Sequence, residues 1–211
     1  MPGLFLTFEG IEGSGKSTQA ALLESTLRAG GVSVLRTREP GGTALAEEIR
    51  ELILDVRQEP VHPETELLLF LAARAQHVRE RIKPALEEGM VVISDRFSDA
   101  TMAYQGGGRF IDPSILNDLN VWASGGIQPD RTYLIDVPVT VGIARAKNRG
   151  GIDGIDRIER EGSVFLKAVR DEYLRLAERE PKRILVLDGE KPTESLAKVI
   201  LSDVESIRTG R

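Results

Sequence analysis

The sequence predicts an α/β protein of three layers, a five-stranded parallel sheet with helices on both faces. Three observations lead there. Short apolar runs of strand length recur five times, longer stretches of helical periodicity separate them, and a glycine-rich loop joins the first run to the first helical stretch. Strands that alternate with helices need crossover connections, and crossovers give parallel strands buried on both faces.

Taken in order, the strands are expected at 4–8, 32–36, 90–94, 131–136 and 183–187. The unbroken run Met90-Val91-Val92-Ile93 suits a strand covered on both sides. Gly30-Gly31 closes the helix after the first strand, and Asp112-Pro113 reads as a cap followed by proline at the first helical position. Pro138 and Pro192 stand where further helices begin, while Pro84 should kink or divide the long helical segment 63–88. There is no internal repeat, low-complexity tract or linker. With 211 residues against roughly 100 to 200 per domain, a single domain over 1–211 is expected, carrying a mobile lid at about 145–160.

Composition narrows the function. Apolar residues are 41% and charged residues 29%, enough for a packed core. The 28 basic and 33 acidic residues give a net charge of −5, which argues against a nucleic-acid binder, so any anion site must be local. Without cysteine there is no disulfide, thiol nucleophile or thiolate metal site, and with His62 and His77 as the two histidines a zinc site is disfavoured. The first residues do not read as a secretory signal and no run approaches a membrane span, so a cytoplasmic protein without a membrane partner is expected.

The strongest motif is Gly10-Ile11-Glu12-Gly13-Ser14-Gly15-Lys16-Ser17, which fills G-x-x-x-x-G-K-[ST] between strand and helix, with Thr18 next on the helix. Its glycines let backbone N–H groups fold around phosphate oxygens, Lys16 can reach the β and γ phosphates, and the Ser17 hydroxyl can ligate Mg²⁺. Such a loop says nucleotide rather than function, because kinases, switches and motors share it. The D-x-x-G and N-K-x-D patterns of base-specific GTPases are absent. The third strand ends in Ser94-Asp95-Arg96-Phe97, which should project into the same crevice, Asp95 toward the Mg²⁺ shell and Arg96 onto a phosphate.

Three more patches add to this: Arg38-Glu39-Pro40-Gly41-Gly42-Thr43, then Phe70-Leu71-Ala72-Ala73-Arg74-Ala75-Gln76-His77, and Tyr104-Gln105-Gly106-Gly107-Gly108-Arg109 after Asp95-Arg96-Phe97. With the loop and the late Asp156-Arg157-Ile158-Glu159 they resemble thymidylate kinases of the bacterial type, over nearly the whole chain. The resemblance implies the nucleoside-monophosphate kinase variant of the P-loop fold and transfer of the γ-phosphoryl group from ATP to dTMP with Mg²⁺. The products would be dTDP and ADP, within dTTP biosynthesis, and the assembly a homodimer.

The resemblance also implies residue roles. Residues 10–18 would bind ATP. Phe70 would stack on thymine and Arg74 donate to a base carbonyl, although on sequence alone a core position among Leu67, Leu68 and Leu71 is the favoured reading of Phe70 and the resemblance alone reverses it. Arg38 and Arg96 would clamp the acceptor phosphate, and Glu12 would accept from the sugar 3′-hydroxyl unless it is a solvent-facing loop acid. Thr101, Tyr104 and Gln105 would face base and sugar, while Phe97 and Ala100 replace hydroxyl or imidazole groups of relatives. His77 is given no chemistry. The charged segment containing Arg145, Lys147, Arg149, Arg157 and Arg160 is broken by Gly150-Gly151 and Gly154. Such a break suits a lid that brings arginines onto a triphosphate, with Arg157 as the catalytic cation and Arg149 as its helper. The remaining alternatives are another nucleotide kinase of similar fold and a nucleotide-binding switch without an acceptor.

Overall fold

The computed structural model describes residues 3–150, 157–158 and 161–210, with the backbone alone at 149 and 150. Its strands are β1 (Leu4–Glu9), β2 (Val34–Arg38), β3 (Val91–Asp95), β4 (Arg131–Asp136) and β5 (Ile184–Asp188), all parallel in the order β2-β3-β1-β4-β5. The helices among the described residues are α1 (Lys16–Ala29), α2 (Ala44–Leu54), α3 (Pro63–His77), α4 (Lys83–Glu87), α5 (Ser98–Thr101), α6 (Pro113–Ser124), α7 (Val139–Gly150), α8 (Gly162–Arg179) and α9 (Thr193–Thr209).

β2, β3 and β5 run one to two residues later than their apolar runs predict, and β1 extends to Glu9. The reason is that the carboxyl ends carry polar residues which stay in the ladder: Arg38 pairs in register with Asp95, and Asp95 with Phe8. Pro84 does not break the helical path. A π-helical stretch, Val78–Ile82, joins α3 to α4, with the Lys83 N–H reaching Val78 O. The wider turn accommodates the missing donor and the bulk of the proline ring. A second π-helical stretch, Met102–Gly108, follows α5 and presents Tyr104 and Gln105. Asp112 caps α6 by accepting from the Ser114 N–H at 2.8 Å, with Pro113 at the first helical position.

Alternation along β1 separates two faces. Leu4, Leu6 and Phe8 pack with Val91, Ile93, Tyr133 and Ile135 beneath α1 and α9. Phe5, Thr7 and Glu9 turn the other way, and behind Phe5 this second face is polar: Thr7 bonds Thr132 at 2.8 Å, and Thr132 bonds Asp99, which Arg183 holds at 2.7 and 2.8 Å. α8 covers that face with Phe165, Leu166, Val169 and Tyr173. Buried polar groups persist here because each finds a partner. No helix among the described residues is long and apolar enough to cross a membrane.

Candidate active site

The loop after β1 wraps the N-terminus of α1 where an anion would be held by backbone N–H groups. Gly13 has φ 75°, and a Cβ there would stand 2.1 Å from the Gly142 carbonyl oxygen, so the loop lies backbone to backbone against α7. Lys16 folds over the loop and donates to Ile11 O at 2.9 Å. Burial lowers its ammonium to about 8, with Arg96 adding to the shift, and a bound polyphosphate would raise it again. Ser17 Oγ donates to the Asp95 carboxylate, so the hydroxyl and acid expected around Mg²⁺ meet across 78 positions of sequence. Among the described residues no three acidic or histidine side chains gather into a metal cage. One carboxylate with one hydroxyl suits Mg²⁺, which keeps waters and substrate phosphates in its shell.

Two cavities open side by side at the carboxyl ends of the strands. The one over the loop, about 620 Å³, is lined by Lys16, Ser17, Thr18, Arg38 and Asp95 among others. Its neighbour, about 680 Å³, is lined by Phe70, Arg74, Thr101, Tyr104 and Gln105, with Phe97 and Ala100 in its wall. Glu12, Glu39, Arg50 and Arg96 belong to both, so the two form one cleft. A third recess of about 970 Å³ lies on the far side of Gly13, Ser14 and Thr18, walled by Arg145, Asn148 and Lys191.

Arg96 stands where the two cavities join. Its backbone is left-handed, φ 73°, uncommon for a residue with a side chain. Nη1 donates to Gly10 O at 3.0 Å and to the Tyr173 hydroxyl at 3.1 Å, and Nη2 donates to the Tyr104 hydroxyl at 2.9 Å. Glu12 is an ion-pair partner at 3.7 Å. Burial pushes the Tyr104 phenol up to about 12, so it stays protonated beneath the guanidinium. Glu9 accepts from the Phe97 N–H and the Tyr173 hydroxyl, and burial, reinforced by Asp99 and opposed by Arg96, pushes its carboxyl up to about 7.

Arg74 is 2% exposed and largely committed to the protein. Nε donates to Glu39, Nη1 to Thr101 and Asn120, and Nη2 to Phe97 O. Four of five N–H groups are thus engaged, which leaves one on Nη2 for a ligand. Burial favours the neutral Glu39 carboxyl, but Arg74 and His77 outweigh it and hold its pKa below the usual range. His77 is a fully buried structural residue, bridging Glu39 at 3.1 Å and Thr37 at 2.7 Å. Arg38 ends β2 instead of following it, and pairs with Glu47 at 2.7 Å. Gln105 donates to Glu66 at 2.8 Å.

Arg157 is not brought to the loop. Its Nε donates to Ile53 O and its Nη2 lies 2.8 Å from Glu66, in ion-pair range without the alignment of a hydrogen bond. Arg109 shares the same carboxylate at 3.0 Å. The Arg149 side chain and Asp156, Glu159 and Arg160 lie outside the described residues. Sequence reasoning missed Arg50, which donates to Pro40 O at 3.0 Å and lines both cavities; Arg145, at the start of the segment expected as a lid, walls the third recess and donates to Gly189 O. A cation on the otherwise amphipathic α2 was the available signal for Arg50.

Comparison with known proteins follows the same lines. The thymidylate kinase family profile matches residues 8–200. The chain is 49% identical over 209 residues to the thymidylate kinase of Methylococcus capsulatus, covering 99% of this chain and 98% of that one. To the thymidylate kinase of Pseudomonas putida it is 48% identical over 210 residues, covering 100% and 97%. The crystal structure of thymidylate kinase from Ehrlichia chaffeensis superposes with a TM-score of 0.79 at 33% identity, over 97% of this chain and all of that one.

Proposed function

The chain belongs to the thymidylate kinase family and is a phosphotransferase that converts dTMP to dTDP with ATP as donor; on that premise we propose how its residues divide the work. One observation carries the division: the loop cavity and its neighbour share Glu12, Glu39, Arg50 and Arg96, so donor and acceptor phosphates would meet at a common wall. Residues 10–18 hold the ATP phosphates by backbone N–H groups and Lys16. The third recess, beyond the loop, takes the adenosine end. dTMP occupies the neighbouring cavity, with its base between Phe70 and the remaining Arg74 N–H and near Thr101 and Gln105, its sugar near Tyr104 and Glu12, and its phosphate against Arg38, Arg50 and Arg96.

Phosphoryl transfer asks chiefly for alignment and charge compensation. Arg96 holds the acceptor oxygen in line, while Lys16 offsets charge on the β and γ phosphates. Mg²⁺, held by Ser17 and Asp95, would neutralise charge on the donor phosphates. Arg157, backed by Arg149, supplies further charge by exchanging its 2.8 Å pairing with Glu66 for the transferring group. Residues 1–211 act as one domain with residues 145–160 as its lid. The assembly is a homodimer, for which exposed Leu68 on α3 and Ile115 and Trp122 on α6 offer apolar surface, and the location is cytoplasmic.

Measuring ADP release with dTMP, dUMP, dCMP and dGMP tests the reading. Turnover should be fastest with dTMP and negligible with dCMP and dGMP. Equal turnover of all four would overturn the assignment of the base pocket, and ATP hydrolysis without an acceptor would overturn the shared wall.

A further inference from the structure

Glu9 ends β1 at the centre of the sheet and is wholly shielded from solvent. A carboxylate so placed needs donors. The Phe97 N–H reaches Oε1 at 2.7 Å, and the Tyr173 hydroxyl, from α8, reaches Oε2 at 2.6 Å. The same hydroxyl lies 3.1 Å from Arg96 Nη1. A hydroxyl has one proton, and giving it to Glu9 leaves its lone pairs for the guanidinium. Arg96, Tyr173 and Glu9 therefore form one directed chain of hydrogen bonds.

The other oxygen of Glu9 acts on the backbone. Phe97 directly follows Arg96, whose own N–H bonds Phe8 O at 3.0 Å and whose carbonyl accepts from Ser94 Oγ at 2.7 Å. A left-handed residue with a side chain persists where its surroundings over-determine it, and here the peptides on both sides are tied. The guanidinium is tied as well. Gly10 O and the hydroxyls of Tyr173 and Tyr104 take three of its five N–H groups, both on Nη1 and one on Nη2. Nε–H and the second Nη2–H have no hydrogen-bonded acceptor among the described residues, the Glu12 carboxylate standing 3.7 Å from Nη2, and they leave the guanidinium two donors for phosphate oxygens.

We propose that Glu9 and Tyr173 are positioning residues for the acceptor phosphate, aiming the remaining Nε and Nη2 donors of Arg96 by holding its backbone and its Nη1. This rests on the reading of Arg96 as a ligand of the dTMP phosphate. Neither residue lines the cleft, so each acts through the groups it holds, chiefly Arg96 and the peptide that follows it.

The test compares Tyr173→Phe, Glu9→Gln and Arg96→Ala for binding of dTMP and of thymidine, which lacks the phosphate, together with the KM for ATP. Tyr173→Phe keeps the ring and removes the bridge. It should weaken dTMP binding about tenfold, the value of one hydrogen bond to a charged group, and leave thymidine binding and the ATP KM unchanged. Glu9→Gln should act in the same direction, because its amide nitrogen cannot accept from either donor. Neither substitution should weaken dTMP binding further in the Arg96→Ala background. Equal losses for dTMP and thymidine would mean general loosening and overturn the proposal, as would undiminished dTMP binding in Tyr173→Phe or additive losses with Arg96→Ala. If Arg96→Ala by itself left dTMP binding intact, the reading of Arg96 would fall and this proposal with it. Should Glu9→Gln fail to fold, Tyr173→Phe decides alone.

Discussion

Replacing Gly13 by alanine tests whether the phosphate loop owes its shape to its contact with α7. The added Cβ would stand 2.1 Å from the Gly142 carbonyl oxygen and 2.8 Å from its carbonyl carbon. Ordinary contact begins at 3.4 Å, so loop and helix must part by about 1.3 Å. Neither neighbour is a side chain that can rotate away. The left-handed backbone adds about 1 to 2 kcal/mol for any residue with a Cβ, and forced separation adds about 1 to 3 kcal/mol. Together they amount to about 2 to 5 kcal/mol, a fall in Tm of about 5 to 15 °C for a chain of this size. Displacing phosphate-binding N–H groups by that distance should lower kcat about 100-fold. Gly31→Ala is the control, since its φ is 76° but nothing lies within 4 Å of the new Cβ. It should show the backbone strain alone, with normal turnover. The assay is ADP release at saturating dTMP, alongside thermal unfolding and dTMP affinity, which should hold. A Gly13→Ala protein with kcat within threefold of the parent and an unchanged Tm would refute the reasoning.

Three further outcomes are expected. Arg74→Ala strands the buried Glu39 carboxylate and should destabilise the fold by about 3 to 5 kcal/mol in denaturant titrations; a loss of dTMP affinity at unaltered stability would show the ion pair to be unimportant. The Glu9 carboxyl titrates near 7 in the fold against 4.5 as its ordinary value, so the fold favours its neutral form. The resulting penalty is absent below about pH 4.5, grows between 4.5 and 7 and is full above 7. Glu9→Gln should therefore raise Tm relative to the parent more at pH 8 than at pH 5, and an offset equal at both would contradict the burial argument. Asp95→Asn should raise the Mg²⁺ concentration for half-maximal turnover about 10- to 100-fold with dTMP affinity unchanged; an unshifted Mg²⁺ dependence would remove Asp95 from the metal shell.

What could be read from the sequence is what repeats locally. The five strands, the loop after β1, the Asp112 cap and the helices after Pro138 and Pro192 are each written within a few adjacent residues. Strand ends were misplaced because hydropathy stops where the chain turns polar, while the ladder continues through Arg38 and Asp95 to deliver them to the cleft and through Glu9 to its buried place behind Arg96. The arrangement around Arg96 had no local signature. Tyr173 lies 164 positions from Glu9 and 77 from Arg96, and only the crossing of α8 over the sheet brings them together. Arg74 was recognised through its motif, yet nothing in its spacing foretold that four of its donors would be taken by the protein. Arg50 was overlooked because a charged residue on an amphipathic helix ordinarily faces water.

The polar row behind β1 also bears on how the sheet finds its pairing. In the native register Thr7 and Glu9 meet Thr132, Phe97 and Tyr173, while Leu6 and Phe8 enter the hydrocarbon beneath α1 and α9. Sliding β1 by one residue inverts every side chain. Thr7 and Glu9 would enter that hydrocarbon without partners, and Phe8 would displace the acceptors that Thr132 and the Phe97 N–H require. An all-aliphatic strand would forgive the slip, since either face would still be greasy. Here a one-residue slip is penalised twice, so the buried acid and threonines favour the native alignment over its inverted neighbour.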